Sequence, residues 1–320
     1  MQIKLWGCRG SLPAPTTNEE YSHKINQILE RALSAGIKNS SEIPGFINSL
    51  PADLKNVFGG NTTCVTVTSD SGAMYILDCG SGIRLLGYEL MKGSCGKGEE
   101  VMNIFLTHNH WDHLQGLPFF TPLYIKGNVL NFHSPFKNQQ KILADQMRAP
   151  YFPAPYEGTA STKTYTLLDV KKRTPLQLEE DLLVDYFPLK HPGGSFAYRF
   201  RQKGKTFIFA TDAEFTGEVF ENSHEDTATF FNKADLLIID SQYTLDESFT
   251  KFDWGHTSFT MAVNCGLRWN VKNLVLTHHE PAYTDAKLNE NYQAAIEHGE
   301  NCKNESMNIY IATEGMLFTL

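Results

Sequence analysis

The chain has 320 residues, 41% of them hydrophobic and 20% charged, enough to build a sizeable core in one large domain or two small ones. A net charge of -8 and a pI near 5.8 have the wrong sign for gripping a long nucleic acid by its phosphates, so a long nucleic-acid partner is not expected. A small anionic substrate is easier to accommodate, because a bound metal can supply the positive charge that the surface lacks.

No apolar run approaches the roughly 18 residues of a membrane span, and Met1 runs almost directly into the strand-like IKLW, leaving no room for a signal peptide. The expectation is a cytoplasmic protein without a membrane partner. Six widely spaced cysteines (Cys8, Cys64, Cys79, Cys95, Cys265, Cys302) form no C-x-x-C pair and are expected to be reduced and mostly buried.

Short β-branched or aromatic runs ending in turn residues predict strands, in chain order, at 3–7, 64–69, 74–80, 103–108, 129–134, 182–191, 196–200, 206–212, 235–240, 273–278 and 308–315. Helical periodicity appears between them in NEEYSHKINQILERALSAG, SGIRLLGYELMKG, NQQKILADQM, SFTMAVNCGLRW and NENYQAAIEHG. Strands and helices mixed throughout predict a layered α/β architecture in a single domain spanning 1–320. Two stretches, at about 16–58 and 134–180, look like insertions that serve as a lid, a dimer contact or decoration.

The chemistry gathers in IFLTHNHWDHLQGL, residues 104–117, where three histidines and an aspartate fall in six consecutive positions after an apolar run. Neutral imidazoles and a carboxylate suit borderline divalent ions, and a loop at a strand end can aim His108 and His110 at one ion while Asp112 and His113 turn toward a second. The plain alternative is a polar loop rich in histidine. Three further candidates, His191, Asp212 and His278, each stand at the C-terminal edge of an apolar strand, and strand ends along one sheet edge converge in space. His279 competes with His278, but strand alternation points only one of the two inward.

His108, His110, Asp112 and His113 meet the H-x-H-x-D-H signature of the metallo-β-lactamase fold superfamily, and the later His, Asp and His follow in the expected order, so the chain resembles that superfamily over essentially its whole length. The resemblance implies a four-layer αββα sandwich with two divalent ions, zinc first and manganese as the alternative. It implies that His108, His110 and His191 hold one ion, that Asp112, His113 and His278 hold the other, and that Asp212 bridges them.

WGCRGSLPAP, FGGNTTCV, ILDCGSGIRLLG and GHTSF are similar to the phosphodiesterase branch, which includes tRNase Z and the enzymes that degrade cyclic nucleotide signals (the anti-Pycsar type). The resemblance makes Asp112, Asp212 and His256 the catalytic set. The resemblance implies hydrolysis of a 3',5'-cyclic nucleotide or related small phosphodiester by a metal-bridging hydroxide, with His256 expected to give the leaving oxygen its proton. A structural histidine at 256 is the alternative.

Asp78 reads either as the carboxylate that accepts the free N–H of a metal-bound imidazole or as a turn residue. Gly59, Gly60, Gly80 and Gly82 serve tight turns near the site, and Phe119, Phe120, Tyr124, Tyr151, Phe152 and Tyr156 either stack a base or fill the core. GHTSF lacks the glutamate of the His-Glu-Ala-Thr sequence of tRNase Z, so the glutamate that orients the histidine there is absent here. A tRNA 3'-processing endonuclease, a lactonase and a catalytically dead metal-binding module are the competing readings. A homodimer whose insertions cap each other's clefts fits the family.

Overall fold

In the computed structural model, which describes residues 1–216, 225–302 and 307–320, fourteen strands form two seven-stranded sheets. One sheet has the order β14-β1-β2-β3-β4-β5-β6, with β1 Gln2–Gly7, β2 Cys64–Thr68, β3 Met74–Leu77, β4 Val101–Phe105, β5 Val129–Ser134, β6 Thr162–Leu167 and β14 Leu317–Thr319. The other has the order β13-β12-β11-β10-β9-β8-β7, with β7 Leu176–Glu179, β8 Leu182–Leu189, β9 Ser195–Gln202, β10 Lys205–Ala210, β11 Leu236–Asp240, β12 Asn273–Thr277 and β13 Asn308–Ile311.

Residue alternation along the strands builds the layers. Phe105 turns inward to meet Tyr198 and Phe200 of the other sheet, while its neighbours Ile104 and Leu106 turn outward onto Ile83, Leu86 and Leu143 beneath the helices Ile83–Leu90 and Gln139–Asp145. In β11, Leu236 and Ile238 face the inner core, and Leu237 and Ile239 pack outward on Ala262 and Val263 of the helix Phe259–Arg268. Covering both faces of the parallel strands β10, β11 and β12 explains their nearly unbroken apolar sequences. The result is the expected αββα sandwich.

The helices begin where side chains satisfy the free N–H groups of the first turn. Thr17 and Glu20 form a capping box on Asn18–Ser34, Ser258 caps Phe259–Arg268, and Thr284 caps Asp285–Asn301. All eleven predicted strands and all five periodic helices are present, with shifted ends. Strands β6, β7 and β14 escape the sequence reading because edge strands such as TKTYTL and LQLE are half-exposed and carry no apolar run. The stretch 134–180 is therefore built into both sheets and is not an appended decoration, since it supplies an edge strand to each. Five of the six cysteines are buried and none is paired; Cys302 is exposed.

Candidate metal centre

The topology delivers the predicted residues to one edge. Strands β8, β10, β11 and β12 run in the same direction, and their C-terminal ends lead into His191, Asp212, Asp240 and His278; β3 and β4 of the facing sheet lead into Asp78 and the loop carrying His108 to His113. Asp78, Asp212 and His278 all leave their strands with positive φ (61°, 55° and 66°), a costly conformation for residues with side chains. Such strain persists where the surrounding packing dictates it.

All seven candidate ligands converge in two groups. His108, His110, His191 and Asp212 form one; Asp112, His113, Asp212 and His278 form the other, and within each the potential ligand atoms lie within 4.8 Å of one another. Asp212 divides its carboxylate between them. Its Oδ2 faces His108 Nε2 at 3.5 Å and His191 Nε2 at 3.7 Å, whereas its Oδ1 faces His113 Nε2 at 3.0 Å and His278 Nε2 at 3.2 Å. Asp112 Oδ2 completes the second group, 3.3 Å from His113 Nε2 and 3.4 Å from His278 Nε2.

The donor set fits divalent cations. Nε2 of His108, His113 and His278 is buried without a hydrogen-bond partner, an arrangement that costs free energy unless a cation takes up the lone pairs. Burial disfavours charge on His113 and His278, yet the carboxylates of Asp212 and Asp112 override it, holding His113 well above the usual imidazole range and His278 at about 9. That excess of negative charge marks the second group as a place for a cation. Burial prevails at the first group, where His108 and His191 are pushed down and remain neutral donors.

Outer partners fix the rings. Thr107 Oγ1 lies 3.0 Å from His108 Nδ1, the Asp78 carboxylate 2.9 Å from His113 Nδ1, the Gly255 carbonyl 2.8 Å from His191 Nδ1 and Gln242 Oε1 3.2 Å from His278 Nδ1. Asp78 is itself anchored by Thr107 N–H at 2.8 Å. Ser11 N–H donates to Asp112 Oδ2 at 2.9 Å. Glycines allow the close approach: a Cβ at Gly10 would fall 2.5 Å from His278 Nδ1, and one at Gly80 would fall 2.6 Å from the Asp112 carbonyl. His279 is not in either group; its Nε2 meets the Ala312 carbonyl at 2.9 Å.

His256 stacks on His278, with ring centroids 4.8 Å apart, and its Nδ1 lies 2.7 Å from Asp240 Oδ2. The glutamate of the tRNase Z sequence is absent from GHTSF, and Asp240 is the carboxylate that meets His256 instead. Asp240, fully buried, also accepts from the backbone N–H groups of Gln242 and Thr257, each at 3.2 Å. It comes from β11, sixteen residues earlier, so inspecting GHTSF alone could not find it. Its position at the end of an apolar strand, shared with Asp212 and His278, was the available signal. Of the aromatic candidates for base stacking, Phe120 and Tyr156 are core residues, while Phe119 and Tyr151 are exposed.

The family model for the "Beta-lactamase superfamily domain" matches residues 75–279. A Ribonuclease Z of Prochlorococcus marinus (strain NATL1A) is 25% identical over 269 residues, covering 66% of this chain and 79% of that protein. Zn(2+)-bound PqqB from Methylobacterium extorquens superposes with a TM-score of 0.66 at 12% identity, covering all of both chains. The short form of human tRNase Z gives 0.59 at 18% identity, covering 100% of this chain and 99% of that one. Among the described residues, no helix is long and apolar enough to cross a membrane.

Proposed function

The chain belongs to the metallo-β-lactamase superfamily and is a metal-dependent hydrolase, and from that premise we propose that it is a dinuclear phosphodiesterase acting on 3',5'-cyclic nucleotides or related small phosphodiesters. The carrying observation is Asp212, whose two oxygens address two separate histidine groups. His108, His110 and His191 would hold one ion and Asp112, His113 and His278 the other, with Asp212 shared and Asp78 fixing His113. Divalent ions there, zinc first and manganese second, would supply Lewis acidity toward a phosphoryl oxygen and would make water a stronger nucleophile.

The chain's own groups handle the leaving oxygen. His256 Nδ1–H donates to Asp240, which fixes the ring and leaves Nε2 to hand over the proton that an alkoxide needs. Asp112, oriented by Ser11 N–H, and the buried Asp212 keep the floor of the cleft anionic and shaped for cations.

Processing of tRNA 3' ends is the second reading, favoured by the relatives named Ribonuclease Z. The acidic net charge and the incorporation of 134–180 into the sheets weigh toward a small substrate. A homodimer in the cytoplasm belongs to the first reading; the row Tyr21, Ile25, Leu29 and Leu33, exposed along one face of Asn18–Ser34, supports a further contact surface. The test is turnover of metal-loaded protein on a panel of cyclic nucleotides, precursor tRNA and lactones, with Asp212→Ala as the control. Turnover of cyclic nucleotides that vanishes in the variant supports the proposal, and cleavage of precursor tRNA alone replaces it with the second reading.

A further inference from the structure

Two of the four tryptophans behave as core residues should: Trp6 and Trp269 are 9% and 2% exposed. Trp111 and Trp254 are 69% and 61% exposed. Both adjoin the metal centre. Trp111 lies between His110 and Asp112, and Trp254 precedes Gly255 and His256.

A continuous chain of contacts joins the two positions. The Gly255 carbonyl meets His191 Nδ1 at 2.8 Å, and His191 Nε2 lies 2.9 Å from His110 Nδ1. The chain neighbours of the two tryptophans, His110 and Gly255, are thereby joined through His191, and His110 is the exposed member of its group. The loop carrying Trp254 is also pinned in place: Lys190 pairs with Asp253 at 3.3 Å, Lys251 pairs with Glu280 at 3.7 Å, and the Lys251 ammonium lies 6.0 Å from the Trp254 ring. An exposed indole on an anchored loop beside a reaction centre is a surface waiting for a planar partner, because uncovered aromatic area forgoes its hydrophobic gain.

We propose that Trp111 and Trp254 form an aromatic clamp at the His110–His191 end of the cleft that stacks the base of the substrate, restricting the enzyme to phosphodiesters that carry a nucleobase. The proposal rests on the phosphodiesterase reading and deepens it. Base-free diesters, such as glycerophosphodiesters, fit the metal centre but leave both indoles uncovered. Neither tryptophan handles a proton; both act on substrate selection.

The experiment is calorimetric titration of the metal-loaded protein with AMP and with ribose 5-phosphate, which share a phosphate and differ by the base. The expected result is at least tenfold tighter binding of AMP. Trp111→Ala and Trp254→Ala each weaken AMP by about 5- to 150-fold, the range of one lost base–aromatic stack, and change ribose 5-phosphate less than twofold. The phenylalanine variants recover most of the loss. Equal affinity for the two ligands overturns the clamp, as do alanine variants that weaken both ligands alike or convert a dimer to monomers without changing the preference for AMP.

Hydrolysis separates the two claims. If no phosphodiester is turned over but the preference for AMP survives and depends on the tryptophans, the reaction is wrong and the clamp stands. If nucleotide and glycerophosphodiester substrates are hydrolysed with the same kcat/KM by wild type and variants, the reaction stands and the clamp falls.

Discussion

Replacing Asp240 with asparagine tests the role given to His256. The carboxylate places Oδ2 2.7 Å from His256 Nδ1 and Oδ1 3.2 Å from both Gln242 N–H and Thr257 N–H. An asparagine that keeps its oxygen on the two backbone donors turns its NH2 toward His256, so Nδ1 must become the acceptor. The ring then loses the carboxylate that accepts from Nδ1 and fixes its orientation, and it serves less well as a general acid. Losing a positioned general acid costs about 10²- to 10⁴-fold in rate. A donor facing the Ala213 N–H, 3.4 Å from the original Oδ2, adds about 1–3 kcal/mol of destabilisation. The assay compares kcat on a 3',5'-cyclic nucleotide with kcat on bis(p-nitrophenyl) phosphate, whose leaving group departs without a proton. The cyclic nucleotide should lose the full factor and the nitrophenyl substrate tenfold or less. Equal losses on both substrates would refute proton donation by His256 and leave Asp240 a structural residue.

Asp212→Ala removes the carboxylate shared by both groups, so the bound metal measured by atomic emission should fall; the wild type should gain about 3 kcal/mol per site at zinc concentrations a hundredfold above Kd, and the variant should lose most of that gain in thermal melts. Gly10→Ala puts a Cβ 2.5 Å from His278 Nδ1 and should displace that ring, weakening metal at the second group more than at the first, as read by competition with a chelator. Acid should destabilise the fold through His279, which burial, aided by the Arg9 charge, pulls down to about 3. Because its folded value is depressed, its contribution is present above the unfolded value near 6.5 and fades as pH falls toward 3; between pH 7 and pH 5.5 it loses about 1 kcal/mol in urea melts, and a His279 imidazole resonance that titrates near 6.5 in the folded protein would contradict this.

The local sequence determined a good deal by itself. Ten of the eleven predicted strands are central and were legible because strands covered on both faces must be apolar, and the seven residues that the structure gathers into two groups could be named because they match, in order, the signature of the superfamily that the chain resembles. Asp78 could be suspected from its place after β3, but its partner His113 is 35 residues away. What the tertiary structure alone decided are the long-range pairings. Asp240 reaches His256 from another strand end, Gly255 offers a carbonyl to His191 from 64 residues on, and Gln242 meets His278 across 36 residues. The same holds for the fates of look-alike side chains: Phe120 is buried and its neighbour Phe119 exposed, and His278 enters the site while His279 bonds a backbone carbonyl. Periodicity and composition act over a few neighbouring residues, whereas these partners meet only when parallel strands bring their C-terminal ends to one edge.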